Sequence, residues 1–131
     1  LWPGLEGVPM RSPRWLRPHT VVIINVLGEV NGEERTSSAM LAHVKFDAHT
    51  GSTFGSTGRQ TQDTVSVVID ANDIKASKDY RKPEEFRNPN MEFTIRPGDR
   101  IAYEGKQYEI TDVTLTNPLR NAPEFIEVTA Q

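Results

Sequence analysis

The chain has no cysteine. That excludes a disulfide framework and a thiolate-held zinc site, and it is compatible with the cytosol. It also lacks an excess of one charge: 15 lysines and arginines stand against 18 aspartates and glutamates, a formal net charge of −3. Proteins that bind nucleic acid through its backbone normally carry a strong positive excess, so no global footprint of that kind is present. No apolar run approaches the roughly 20 residues that a membrane-spanning helix needs. Histidine is scarce, and His19, His43 and His49 fit no local metal-ligand spacing. Gly51 to Arg59 is glycine-rich but lacks the glycine–lysine–hydroxyl ending and following helix of a phosphate loop. Ser52, Ser56, Asp63 and His49 sit on no strand–turn–helix elbow, so a hydrolytic triad is discounted. These absences point to an interaction protein rather than an enzyme, with no catalytic residue, metal or cofactor expected.

What is present reads as one β-rich domain. Of 131 residues, 36 % are hydrophobic, and nine prolines and nine glycines supply many turns. Residues 1–18 form an N-terminal extended tail with four prolines, two tryptophans and three arginines, and no periodicity. Leu1 is not methionine, which implies processing or a non-standard start, and Met10 is an internal candidate start. The tail does not read as a signal peptide, because its charges follow the apolar residues and no continuous apolar core exists. One reading is a disordered tail. The other is a segment that folds onto a neighbouring subunit, with Trp2, Trp15 and Leu16 as anchors beside Arg17. Contact of Arg11, Arg14, Arg17 and Trp15 with nucleic acid is the weaker alternative.

Residues 19–131 form the barrel domain. Thr20 to Val30 is β-branched and nearly continuous, a buried strand, and Asn31-Gly32 is a strong hairpin signal. The return strand runs from about Arg35 to Phe46, with Met40, Ala42, Val44 and Phe46 sharing one face. Asp47 to Gln62 is polar and glycine-rich, and it is read as a long structureless loop. Val65, Val67 and Ile69 define the next strand. Ala71 to Asn90 is a second long connection, in which Pro83 can open one helical turn. Met91, Phe93 and Ile95 alternate as a further strand. The predicted core is Val22, Ile24, Val26, Val44, Phe46, Val67, Ile69, Phe93, Ile95, Ile101, Tyr103, Tyr108 and Ile110. The fold class that follows is mainly β: a small antiparallel barrel of about six to seven strands, with long loops and at most one short helix.

The most telling stretch runs from Ile95 to Val113. Pro97-Gly98-Asp99 and Glu104-Gly105-Lys106 are tight turns, and Ile101, Tyr103, Tyr108 and Ile110 alternate between and after them. The run Gly98-Asp99-Arg100-Ile101-Ala102-Tyr103-Glu104-Gly105-Lys106-Gln107-Tyr108-Glu109-Ile110 resembles the late hairpin of head-completion, or stopper, proteins of long-tailed bacteriophages. The resemblance covers about Thr20 to Thr129.

That resemblance implies a structural virion protein of the neck. It would be assembled in the host bacterial cytoplasm as a ring of six or twelve copies, between portal or adaptor proteins and the tail. It would help retain packaged genomic DNA without sequence specificity, and no membrane is involved. By position, Asp47 to Gln62 corresponds to the channel-closing loop, with His49, Gly51, Phe54, Gly55, Gly58 and Arg59 as candidate gating residues. Arg59 is that loop's only cation, so steric closure is favoured over phosphate binding. A tail-terminator or baseplate component, or a free-standing β-barrel ligand-binding module, are the alternatives.

Overall fold

Nine strands follow from the alternation and turn chemistry of the chain: β1 (His19–Val30), β2 (Glu33–Gly55), β3 (Gly58–Asp70), β4 (Lys75–Ala76), β5 (Asp79–Tyr80), β6 (Glu92–Phe93), β7 (Arg100–Tyr103), β8 (Lys106–Thr116) and β9 (Phe125–Ala130). They are seen in a computed structural model that describes residues 12–55, 58–116 and 124–131, with side chains outside 50–63. β1, β7, β8, β9, β3 and β2 pair in that order, all antiparallel, and β2 pairs back onto β1. The sheet therefore closes as a six-stranded barrel-like ring that leaves no open edge in its body. β4 adds to β2 from outside, and β5 and β6 form a short parallel pair. The only helix among the described residues is a single 3-10 turn, Arg14–Leu16.

Three turns position these strands. Asn31 (φ 54°) and Gly32 (φ 80°) join β1 to β2, while Glu104 (φ 49°) and Gly105 (φ 82°) join β7 to β8. Both are two-residue turns of the kind whose twist matches the flanking strands. Before β7, the Asp99 N–H donates to the Arg96 carbonyl at 3.2 Å, with Gly98 at φ 93°. This is a proline–glycine turn of type II.

The core contains Val44, Phe46, Val67, Ile69, Phe93, Ile95, Ile101 and Ile110 as expected, while Tyr103 and Tyr108 are partly buried against it. β1 differs. Val21, Ile23 and Asn25 face inward, and Val22, Ile24 and Val26 are only half-buried. A run apolar on both faces carries no phase, and a one-residue slip exchanges the faces. Replacing Ile23 with valine is therefore expected to cost about 0.5–1.5 kcal/mol, and Ile24 with valine clearly less. Equal losses in urea unfolding would overturn this register.

β2 departs from simple alternation too. Ala39 and Leu41 are buried ahead of Val44 and Phe46, in place of Met40 and Ala42. The pairing steps from Val21↔Leu41 to His19↔Val44, so β2 carries an extra residue there, and His43 sits at φ 56°. This bulge moves the inward set from odd to even positions.

Two expected loops are also corrected. Residues 47–55 and 58–62 do not form a structureless loop: β2 and β3 stay paired from Val44↔Ile69 to Gly55↔Gly58, and 56–57 lie outside the described residues. Period-two pairing tolerates a polar sequence wherever both faces meet water, and hydrophobicity alone misses such a strand. Pro83 opens a turn closed by the Glu85 N–H on the Lys82 carbonyl at 2.8 Å, and no helix follows.

Candidate functional site

β2 is longer than the barrel is tall. β9 supports β3 only over Val65–Asp70, so from His49↔Thr64 to Gly55↔Gly58 the β2–β3 hairpin runs on as two strands. Seven residues of strand make an arm of about 24 Å. β7 likewise supports β1 only over Val22–Ile24, and the β1–β2 hairpin runs past it to Asn31-Gly32. One strand thus feeds two projecting hairpins at its two ends.

The arm holds the six predicted gating residues. His49 is exposed opposite Thr64, Phe54 pairs in register with Arg59, and Gly55 with Gly58. Gly51 is opposite Gln62. At the foot of the arm an aromatic cluster closes the barrel. Phe46 stacks on Tyr103 at 4.1 Å, His19 meets Tyr103 edge-on at 5.7 Å, and the His19 Nδ1 accepts the Phe46 N–H at 3.0 Å.

The four predicted docking residues separate. Trp2 lies outside the described residues. Trp15 is 77 % exposed and Leu16 is exposed beside it on the 3-10 turn. Arg17 is 2 % exposed and belongs to the barrel's own structure, which corrects its assignment as a partner contact. Its guanidinium donates to Asp73 at 2.9 Å, to the His43 carbonyl at the bulge, and to the Ser12 carbonyl and hydroxyl. Arg14 grips the same Asp73 through Nε and Nη2 at 2.9 and 2.8 Å. Asp70, fully buried, accepts the Ser12 N–H at 2.6 Å and the Asn72 N–H at 2.9 Å. Hydrogen bonds from Arg14 hold the Asp73 carboxyl well below the usual carboxylate range, against the opposing effect of burial, with Arg17 adding to the depression. Ser12 to Arg17 is therefore strapped to the turn after β3, and the strap displays Trp15 outward.

A second buried polar network was missed from the sequence. Asn25 Nδ2 donates to the Thr94 carbonyl at 2.6 Å and to Asp99 at 2.9 Å, and its Oδ1 accepts the Thr94 N–H at 3.1 Å. Asp99 also accepts the Val26 N–H at 2.9 Å and Arg96 Nε at 3.0 Å. A lone Asn within Val-Val-Ile-Ile-Asn-Val was the available signal, since a buried polar group needs partners. The network locks the proline–glycine turn to β1 and performs no evident chemistry.

A cleft of about 590 Å³ lies between Tyr80, Pro83 and Ile95 on one side and Val113, Leu115 and Ile126 on the other. Burial pushes the Tyr80 phenol up, and Glu84 and Glu85 add to it. Among the described residues no group of three histidines or carboxylates is arranged to hold a metal ion.

No curated protein and no solved structure matches this chain. A family model does match, over residues 16–130, which is most of the chain. The protein belongs to that family, a family of unknown function (DUF6751).

Proposed function

We propose that this protein is a structural component of a bacteriophage neck, a ring-forming head-closure protein that neither catalyses a reaction nor carries a cofactor. The supporting observation is the β2–β3 arm: a two-stranded hairpin reaching about 24 Å beyond a closed barrel. An isolated two-stranded ribbon is marginally stable by itself, so an arm of this length gains order from neighbours. In a ring of six or twelve copies the arms reach toward the axis, where they narrow the channel behind packaged DNA. Arg59 opposite Phe54 gives the arm too little positive charge for phosphate binding to dominate. Closure is therefore steric. The exposed Trp15 and Leu16 offer an apolar contact for the portal or adaptor side.

The test removes the arm's end. Deleting 51–62 and joining the strands with Asn-Gly is expected to leave the barrel folded, because the removed pairs lie beyond the part of β3 that β9 supports and Asn-Gly closes the Thr50↔Asp63 pair with a two-residue turn. Tailless particles carrying the shortened protein are then expected to lose DNA. Full retention would reject the gate.

A further inference from the structure

At the base of the β1–β2 hairpin lie two adjoining hollows of about 680 and 560 Å³, which share Leu27 and Pro89. They form one open groove between the hairpin and residues 86–90. Its lining is mixed in charge: the carboxylates of Glu34 and Asp99 are taken by Arg100 and Arg96, which leaves Arg35 and Arg87 as its charges without an ion pair among the described residues. Arg96 beside them is fixed by Asp99, by the Val26 carbonyl at 2.6 Å and by the Phe86 ring at 5.5 Å. The wall is set in advance: Glu92 Oε1 accepts the N–H groups of Arg87 and Asn88 at 3.1 and 3.0 Å. A preformed wall loses little conformational freedom on binding.

Past the rim that Gly28, Arg35 and Glu34 form, the hairpin ends in Glu29, Val30 and Glu33 and its turn. That is about 7 Å of strand. Its chemistry is opposite to that of the groove. Glu29 and Glu33 are exposed and make no ion pair among the described residues, whereas Glu34 is taken by Arg100 at 2.7 Å. Glu29 faces Glu34 across the strands, and because Arg100 takes Glu34, Glu29 is left as the unpaired carboxylate of that pair. Val30 is exposed at the end.

We propose that the occupant of this groove is the β1–β2 tip of a second copy of the chain. Glu29 and Glu33 of the incoming tip meet Arg35 and Arg87, and Val30 covers Leu27 and Pro89. Tip and groove use different residues, so the contact repeats head to tail and closes into a ring where the rotation allows. Only that closure rests on the ring reading above. The charge complementarity stands on the hairpin itself.

The experiment measures the mass of the purified full chain by sedimentation velocity across concentration and salt. Wild type is expected to self-associate, more weakly as salt rises. Arg35→Glu with Arg87→Glu, and Glu29→Arg with Glu33→Arg, are each expected to raise the dissociation constant at least tenfold, with circular dichroism unchanged because these side chains are exposed. Mixing the two variants pairs a native tip with a native groove and a reversed tip with a reversed groove, so association returns. Wild-type assembly indifferent to all reversals would overturn the proposed contact and leave the ring standing. A wild type that stays monomeric at every concentration would also overturn it, while DNA retention in particles still judges the neck role. Recovery in the mixture alone establishes the pairing.

Discussion

Asp99→Ala is expected to lower stability by about 3–5 kcal/mol, among the larger effects of any single substitution. Asp99 is 1 % exposed and its two oxygens accept from three donors: Asn25 Nδ2, the Val26 N–H and Arg96 Nε. Arg96 is a third exposed and can turn to water. The half-buried Val26 N–H loses its acceptor and Asn25 Nδ2 keeps only the Thr94 carbonyl, at about 1–3 kcal/mol each. Removing the carboxylate also frees the proline–glycine turn from β1. For a domain of this size the midpoint of thermal unfolding is expected to fall by roughly 10–20 °C. Thr94→Val serves as a comparison, because its buried hydroxyl has no hydrogen-bond partner and its loss removes nothing. If Asp99→Ala unfolds within about 1 kcal/mol of wild type, the network is not what holds this turn.

The same residues show why part of the fold was readable in the sequence and part was not. Asn31-Gly32, Pro97-Gly98 and Glu104-Gly105 announce their turns because positive φ is chemically restricted, and the strands beside them follow. Phe93, Ile95, Ile101 and Ile110 alternate cleanly with polar neighbours, so their faces are legible. β1 is apolar on both faces, and its phase is set by Asn25 reaching Thr94 and Asp99, 69 and 74 residues away in the chain. No local pattern contains that information. The bulge at His43 likewise answers to Arg17 and to pairing with β1, not to its own neighbours. The arm was misread for a different reason. Its polarity suits a loop and a two-sided solvated ribbon equally, and only its partner strand separates them. Of the candidate site, the sequence grouped the candidate gating residues in one segment, which the structure divides between β2 and β3, and it singled out Trp15, which is exposed. It missed that Arg17 is spent on the barrel, because an arginine between leucine and proline in a tail looks solvated until Asp70 and Asp73 are seen beneath it.

Arg17→Met is the second large effect expected, about 3 kcal/mol, the lower end for removing one member of a buried ion pair. The lower end applies because Arg14 still holds Asp73 through two hydrogen bonds, and Asp70 keeps the N–H groups of Ser12 and Asn72. What is lost is the group that joins both carboxylates to the bulge carbonyl of His43, together with its hold on Ser12. The strap should then loosen, and in a Trp2→Phe background the fluorescence anisotropy of the exposed Trp15 should fall as it gains mobility. The strap also predicts acid behaviour with a definite sign. Asp73 has a folded-state pKa below its ordinary value of 3.8. Its ion pairs therefore contribute their full stability above that ordinary value, and the contribution is lost as pH falls toward the lower folded value. Between about pH 5 and pH 2 the wild-type thermal midpoint should drop steeply. Asp73→Asn should be less stable at neutral pH and show a shallower drop, because it has no proton to take up at this position. Arg17→Met should lie between the two, since Arg14 alone keeps Asp73 partly depressed. Identical acid slopes in wild type and Asp73→Asn would mean that the strap's charges are balanced by water and not by one another. Trp15 would then be carried on a loose segment rather than presented by a fixed one.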